Sequence, residues 1–219
     1  AKKPLGILTV VSGDGWTVLF KNLGADVVSG GQSMNPSVQE LSSGMDNGQY
    51  EKYIILPNNK NIILAAQQLQ KMMGEKVHIV PSTNPMEGLA AAMAFSEDNT
   101  LEENLAAMKE RMGDIATAMI TTAVRDSIVG QTWFHMHDLM GNMYFHDVIA
   151  ETDFTKSFLD VLSHLITEDT EIVTIYSGKD LSDEDCLKEI DKAEKKYPDV
   201  TFETYQGGQP LYPMFISAE

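Results

Sequence analysis

The chain has 219 residues, 43% hydrophobic and 22% charged, the composition of a folded globular protein long enough for one large domain or two compact lobes. No apolar run approaches the roughly 18 residues of a membrane-spanning helix, no basic-then-apolar leader opens the chain, and the single Cys186 excludes an internal disulfide, so a cytoplasmic protein is expected. The net charge of −16 is confined to one half: residues 1–96 carry 7 Lys+Arg against 7 Asp+Glu, and residues 97–219 carry 9 against 25. Phosphate recognition needs a basic footprint, so nucleic acid is excluded as a partner. The acidic half fits either plain solubility or a docking face for a basic protein surface.

The chain opens Ala1-Lys2-Lys3-Pro4, without an initiator methionine, and enters a strand pattern at once, which reads as a piece of a longer polypeptide. Ile7 to Val11 is a continuous apolar run of the kind a buried parallel strand requires. After Ser12-Gly13-Asp14-Gly15 an amphipathic helix carries Trp16, Leu19, Phe20 and Leu23, stopped by Gly24. Val27-Val28, Tyr53 to Leu56 and Val77 to Val80 are further strands, and Ile62, Ala65, Ala66, Leu69, Met72 and Met73 lie on one face of an intervening helix. Pro85 to Phe95 reads as a short helix. Strands alternating with helices at this spacing predict a Rossmann-like α/β lobe with a parallel sheet over residues 1–96.

From Thr100 the pattern changes. The capping-box pair Thr100 and Glu103 opens a helix with Leu101, Leu105, Met108 and Met112. Ala116 to Val124 and Trp133 to Val148 read as strands of a meander, followed by a helix around Phe158, Val161, Leu162 and Leu165. Ile172 to Tyr176 is a buried strand, and Ser182 starts a helix acidic at its head and Lys-rich at its tail, as the helix dipole favours. Val200 to Tyr205 alternates as a strand, and Gly207-Gly208-Gln209-Pro210 turns into a last strand near 213–217. Residues 97–219 are thus expected to form a second, acidic α+β lobe.

Catalytic templates are absent. There is no phosphate-binding G-x-x-x-x-G-K-[ST], and the first strand–helix turn offers Gly13 and Gly15 without the third glycine of a dinucleotide site. Cys186 lies between Asp185 and Glu189, which disfavour a thiolate. His135, His137 and His146 pass the spacing test for a zinc site but have no supporting Cys and no H-E-x-x-H, so no metal is expected. More informative are three polar loops that follow strand carboxyl ends: Gly30-Gly31-Gln32-Ser33-Met34-Asn35-Pro36-Ser37, Pro57-Asn58-Asn59-Lys60-Asn61 and Pro81-Ser82-Thr83-Asn84-Pro85. In an open α/β sheet those ends form one edge, where ligands bind, and each loop feeds a helix N-terminus. Helix capping explains one such residue per loop; the excess of amides and the Gly-Gly pair point equally to a binding edge.

These loops, with Ala91 to Phe95, Ala123-Val124-Arg125-Asp126 and Gly207-Gly208-Gln209-Pro210-Leu211-Tyr212-Pro213, resemble together the C-terminal region of the bacterial fatty acid kinase A-subunit family, which is related to dihydroxyacetone kinases. Residues 128–150 depart from the family, with His-Met-His and Met-Gly-Asn-Met in place of a Lys/Gly-rich segment. The resemblance implies a DegV-like fold. It implies a region without catalysis of its own that docks a DegV-type fatty-acid-binding protein, while a kinase domain elsewhere phosphorylates the acyl carboxylate. ATP and magnesium are then expected in a missing N-terminal domain, with no cofactor in this fragment, and a homodimer would form through the parent protein. The positions carried over as ligand- or partner-binding are Gly30, Gly31, Gln32, Ser33, Asn35, Asn58, Asn59, Asn61, Arg125 and Gln209. The alternative is a small-molecule or anion-binding domain that senses a ligand or contacts an acyl phosphate, in which Asn58→Ala would abolish ligand-induced stabilisation.

Overall fold

A computed structural model describes residues 1–30, 35–123, 132–139, 142–146 and 154–219; for 121–123, 132–139 and 142–146 it gives the backbone course alone. The chain divides into two compact units, Ala1–Asp114 and Ile115–Glu219. The boundary lies beyond helix Leu101–Gly113 rather than at residues 96–97. Asn104 explains this placement: it is fully buried in that helix and its amide exchanges hydrogen bonds of 2.9 Å with both the N–H and the C=O of Ser96. The side chain ties the helix back to the loop before it, so the helix belongs to the first unit.

The first unit contains β1 (Lys3–Val11), α1 (Asp14–Asn22), β2 (Asp26–Ser29), α2 (Val38–Ser43), β3 (Tyr50–Leu56), α3 (Lys60–Met73), β4 (Val77–Ile79), α4 (Pro85–Met93) and α5 (Leu101–Gly113). Its four strands are all parallel, in the order β2-β1-β3-β4, as the alternating sequence pattern predicts. Alternation along each strand sends Leu8, Val10, Tyr53 and Ile55 to one face, where Leu41 of α2 and Ile62, Ala66 and Leu69 of α3 complete a core. Ile7, Ile54 and Leu56 are buried on the other face. There α4 packs on β1 and touches α1 and α5. Trp16 and Phe20 of α1 are fully buried with ring centroids 6.4 Å apart, and burying such side chains contributes about 1.5–3 kcal/mol each. Helix α2 is an element the sequence reading leaves as loop. Its signal is present in Ser37 and Glu40, which form a reciprocal capping box.

The second unit contains β5 (Ala116–Ala123), β6 (Thr132–Leu139), β7 (Asn142–His146), α6 (Phe154–Leu165), β8 (Ile172–Ser177), α7 (Asp183–Lys196), β9 (Thr201–Gln206) and β10 (Met214–Ala218). One six-stranded sheet runs β7-β6-β5-β10-β8-β9. The expected meander is an antiparallel run of three strands, β5-β6-β7, in which the stretch read as one strand from Trp133 supplies two, β6 and β7, paired with each other. Strand β10 enters antiparallel to both β5 and β8, and β8 and β9 are parallel, joined through α7. Phe158, Val161, Leu162 and Leu165 of α6 and Cys186, Ile190 and Ala193 of α7 cover Ala118, Ile120, Val173, Ile175, Met214 and Ile216. The fold class is therefore α/β with a parallel four-stranded sheet and a second, mixed sheet.

Candidate functional site

The strand order of the first unit reverses between β1 and β3, so the crevice outside their carboxyl ends is the place where doubly wound sheets hold ligands. Here the crevice is bridged from within. Asn58 follows β3 and takes φ +59°, a left-handed conformation that asparagine tolerates better than most residues. That turn swings its amide across to β1, where Nδ2 donates to Thr9 Oγ1 at 2.8 Å and to the Val10 carbonyl at 2.9 Å. Thr9 Oγ1 in turn donates to the Leu56 carbonyl. On the β4 side, Ser82 Oγ donates to Asn58 Oδ1 at 2.8 Å and accepts from the Asn58 N–H at 3.0 Å. Asn58 is 6% exposed, and Thr9 and Ser82 are fully buried. Gly88 of α4 leaves room for this bracket: a Cβ there would lie 1.9 Å from Asn58 Oδ1. The amide thus links the ends of β1, β3 and β4 with both of its polar atoms engaged.

The other loop residues divide between caps and surface. Asn59 is the N-cap of α3, its Oδ1 accepting from the Asn61 N–H at 2.8 Å. Asn84 caps α4 through the Glu87 N–H, while Glu87 Oε1 accepts from both the N–H and the hydroxyl of Thr83. Gly30 is buried and its N–H donates to the Val11 carbonyl. Asn35 and Asn61 are exposed. Gly31, Gln32, Ser33 and Arg125 lie outside the described residues. The sequence reading did not single out Thr9, and it placed Ser82 in a polar loop without naming it as a site residue. The first has a signal, since it is the one hydroxyl inside the apolar run Ile7–Val11.

In the second unit Gln209 plays a comparable part. It is 1% exposed, and Nε2 donates to the carbonyls of Tyr176 at 2.9 Å and Tyr212 at 3.1 Å. Its own carbonyl accepts from the Lys179 N–H, and the Gly178 N–H donates to the Pro213 carbonyl. Gly178 allows that close approach, because a Cβ would sit 2.0 Å from the Tyr212 carbonyl oxygen. Burial pushes the phenols of Tyr176 and Tyr212 above the usual tyrosine value. Burial also raises the Cys186 thiol, with Asp183 and Glu189 adding to the effect and Thr204 opposing it. A thiol in that setting is a poor nucleophile.

Two open clefts lie away from these brackets. One of about 470 Å³ sits beside the start of β1 and α5, lined by residues that include Lys3, Lys52, Glu97 and Asp98, with Lys3 and Glu97 paired at 2.8 Å across it. A shallower notch of about 250 Å³ separates the head of α7 from the end of β9. Among the described residues no group of three or more His, Cys, Asp or Glu side chains can hold a metal ion, and no helix is long and apolar enough to cross a membrane. His135, His137 and His146 fall in β6 and β7, with His135 and His146 as register partners.

Residues 6–219 match the model of the FakA-like C-terminal family, the C-terminal region of fatty acid kinase A-subunit-like proteins. An uncharacterized protein of Staphylococcus aureus strain USA300 is 33% identical over 214 residues, and one of Staphylococcus epidermidis is 34% identical over the same length. Both alignments cover 97% of this chain but 39% of the relative, so the chain spans about two fifths of the curated relatives it matches. Similar solved structures include a DegV family protein from Corynebacterium glutamicum (TM-score 0.68, 15% identity, 99% of this chain and 96% of that one). The fatty-acid-binding DegV of Bacillus subtilis is also similar (0.66, 10%, 99% of each). So is the fatty acid kinase B3 protein of Streptococcus pneumoniae loaded with linoleic acid (0.60, 8%, 99% of each). At such identities they speak to fold. With its sequence matching over nearly its whole length, this chain belongs to the FakA-like C-terminal family and has a DegV-like fold.

Proposed function

We propose that the chain is the docking region of a two-component fatty acid kinase. It receives a DegV-type fatty-acid-binding protein in the cytoplasm, so that an ATP- and magnesium-dependent kinase domain elsewhere in the parent polypeptide can phosphorylate the acyl carboxylate. The observation that carries this reading is the family match over residues 6–219, joined to a fold shared with a linoleate-loaded fatty acid kinase B protein. Two further features support it. Asn58, the amide at the centre of the sheet edge, is engaged inside the fold, and Asn59 and Asn84 cap helices, which favours a role on the surface. Residues 97–219 hold the whole excess of negative charge, and electrostatic complementarity of that kind raises association rates and partner selectivity.

Calorimetric titration of this chain with the same organism's DegV-type protein, with and without bound fatty acid, tests the reading. Saturable binding that weakens as salt rises is the expected result. Absence of heat and of any mobility shift at high protein concentration would overturn it.

A further inference from the structure

Strand β9 ends the six-stranded sheet, and its residues are largely exposed. Parallel pairing engages the N–H and C=O of every second residue. On β9 those are the odd positions: the Thr201 N–H donates to the Glu171 carbonyl and the Gly207 N–H to the Ser177 carbonyl, bracketing the ladder at both ends. The even residues Phe202, Thr204 and Gln206 therefore turn their backbone donors and acceptors away from β8. Edges of this kind are usually blunted by a proline, a bulge or a lysine pointing inward. Thr201-Phe202-Glu203-Thr204-Tyr205-Gln206 has none of these.

The flank is also shaped. The notch between α7 and this edge is lined by Asp183, Cys186, Leu187, Thr204, Tyr205 and Gln206. One large apolar side chain, Leu187, stands open beside it at 54%, and on the other face of the strand Tyr205 stacks on Tyr176 with ring centroids 5.8 Å apart. The surrounding charge is negative: residues 180–203 contain nine Asp+Glu and four Lys. A second copy of this acidic chain is poorly matched to such an edge, whereas a cationic strand is well matched.

We propose that β9 is a strand-addition edge. It takes an extended segment, borne by the fatty-acid-carrying protein, that alternates apolar residues with Lys or Arg. Backbone pairing to Phe202, Thr204 and Gln206 supplies the affinity. An apolar side chain enters the notch over Cys186 and Leu187, and a basic one on the opposite face meets Glu203. The inference rests on the docking reading above and adds to it the surface and the mode of contact.

The test is hydrogen exchange on this chain alone and mixed with the DegV-type protein, together with titration of two variants. Fast exchange of the Phe202, Thr204 and Gln206 amides in the free chain, slowed at least tenfold in the complex, is expected. Thr204→Pro removes an outward N–H that the ladder with β8 does not use, and Leu187→Glu places a charge in the notch at an exposed site. Each should weaken binding at least tenfold with an unchanged circular dichroism spectrum and melting point. If the wild-type chain binds but these amides stay unprotected and both variants bind normally, the edge is not the site and the docking reading survives. If the wild-type chain does not bind, both fall. Protection of the same amides in the free chain with dimer formation on sedimentation would assign the edge to self-association and overturn the proposal.

Discussion

The carboxyl edge of the first sheet and the outer edge of the second use polar groups in opposite ways. At the first, five hydrogen bonds among Thr9, Asn58, Ser82 and the carbonyls of Leu56 and Val10 close the crevice between β1 and β3. At the second, β9 carries no motif beyond the acidic Glu203, and it is the end strand among the described residues. A loop crowded with asparagine, serine and glycine draws the eye as a binding site, yet several of those residues satisfy buried or terminal backbone groups instead. An ordinary strand at the end of a sheet carries no motif at all. Of the polar loop residues, Asn58, Asn59, Ser82 and Asn84 hold the framework, and which strand ends a sheet is set by topology.

Removing the bracket should have the largest effect. Asn58→Ala leaves Thr9, Val10 and Ser82 short of partners and puts alanine at a positive φ, so a loss of about 3 kcal/mol is expected by urea unfolding. Gly88→Ala should approach it, because the fixed Asn58 amide cannot yield to the new Cβ. Were either variant as stable as the parent, the crevice would be an open site after all. Gln209→Ala withdraws one hydrogen bond from the buried Tyr176 carbonyl and one from the partly buried Tyr212 carbonyl, and should reduce stability by about 2 kcal/mol on the same measurement.

A pH titration gives the next effect. The folded-state value of the buried Tyr176 phenol lies above its unfolded value near 10.0. The protonated phenol is thus bound more tightly in the folded chain, and this contribution is intact below about pH 10 and is lost as pH rises beyond it. Thermal melts should fall steeply above that pH for the wild-type chain and less steeply for Tyr176→Phe. Smallest of all, Asn35→Ala and Asn61→Ala should change stability by about 0.5 kcal/mol or less. If either instead abolishes stabilisation by an anion such as acetyl phosphate in a melting assay, the small-molecule alternative regains its footing.

Much of the fold is written in hydrophobic period. The continuous run Ile7–Val11 is a strand buried on both faces, Ile172–Tyr176 is one buried fully on its helix-covered face and half-buried at Ile172 and Thr174 on the other, and the spacing from Ile62 to Met73 forms α3 as expected, because burial and propensity agree there. Helix α2 was hidden by its length of six residues, too short to show a period, although its cap was in plain view. The extent of the first unit was hidden as well, since nothing in the polar Asn104 announces its burial or its reach back to Ser96. The site was less legible than the fold. Nothing in Asn58 distinguishes a ligand contact from an internal bracket before the positive φ and the partners on β1 are seen, and a free edge strand depends on the order of strands, which no local pattern encodes.

Strand β10 lies between β5 and β8 although it follows both in the chain. During synthesis on the ribosome, the β5-β6-β7 meander and the β8-α7-β9 unit therefore emerge with α6 packing against both but with no strand pairing between them until Met214 to Ala218 have cleared the exit tunnel. The nascent sheet must wait in halves, which makes those five residues the step at which a stalled or clipped product would be handed to chaperones or proteases.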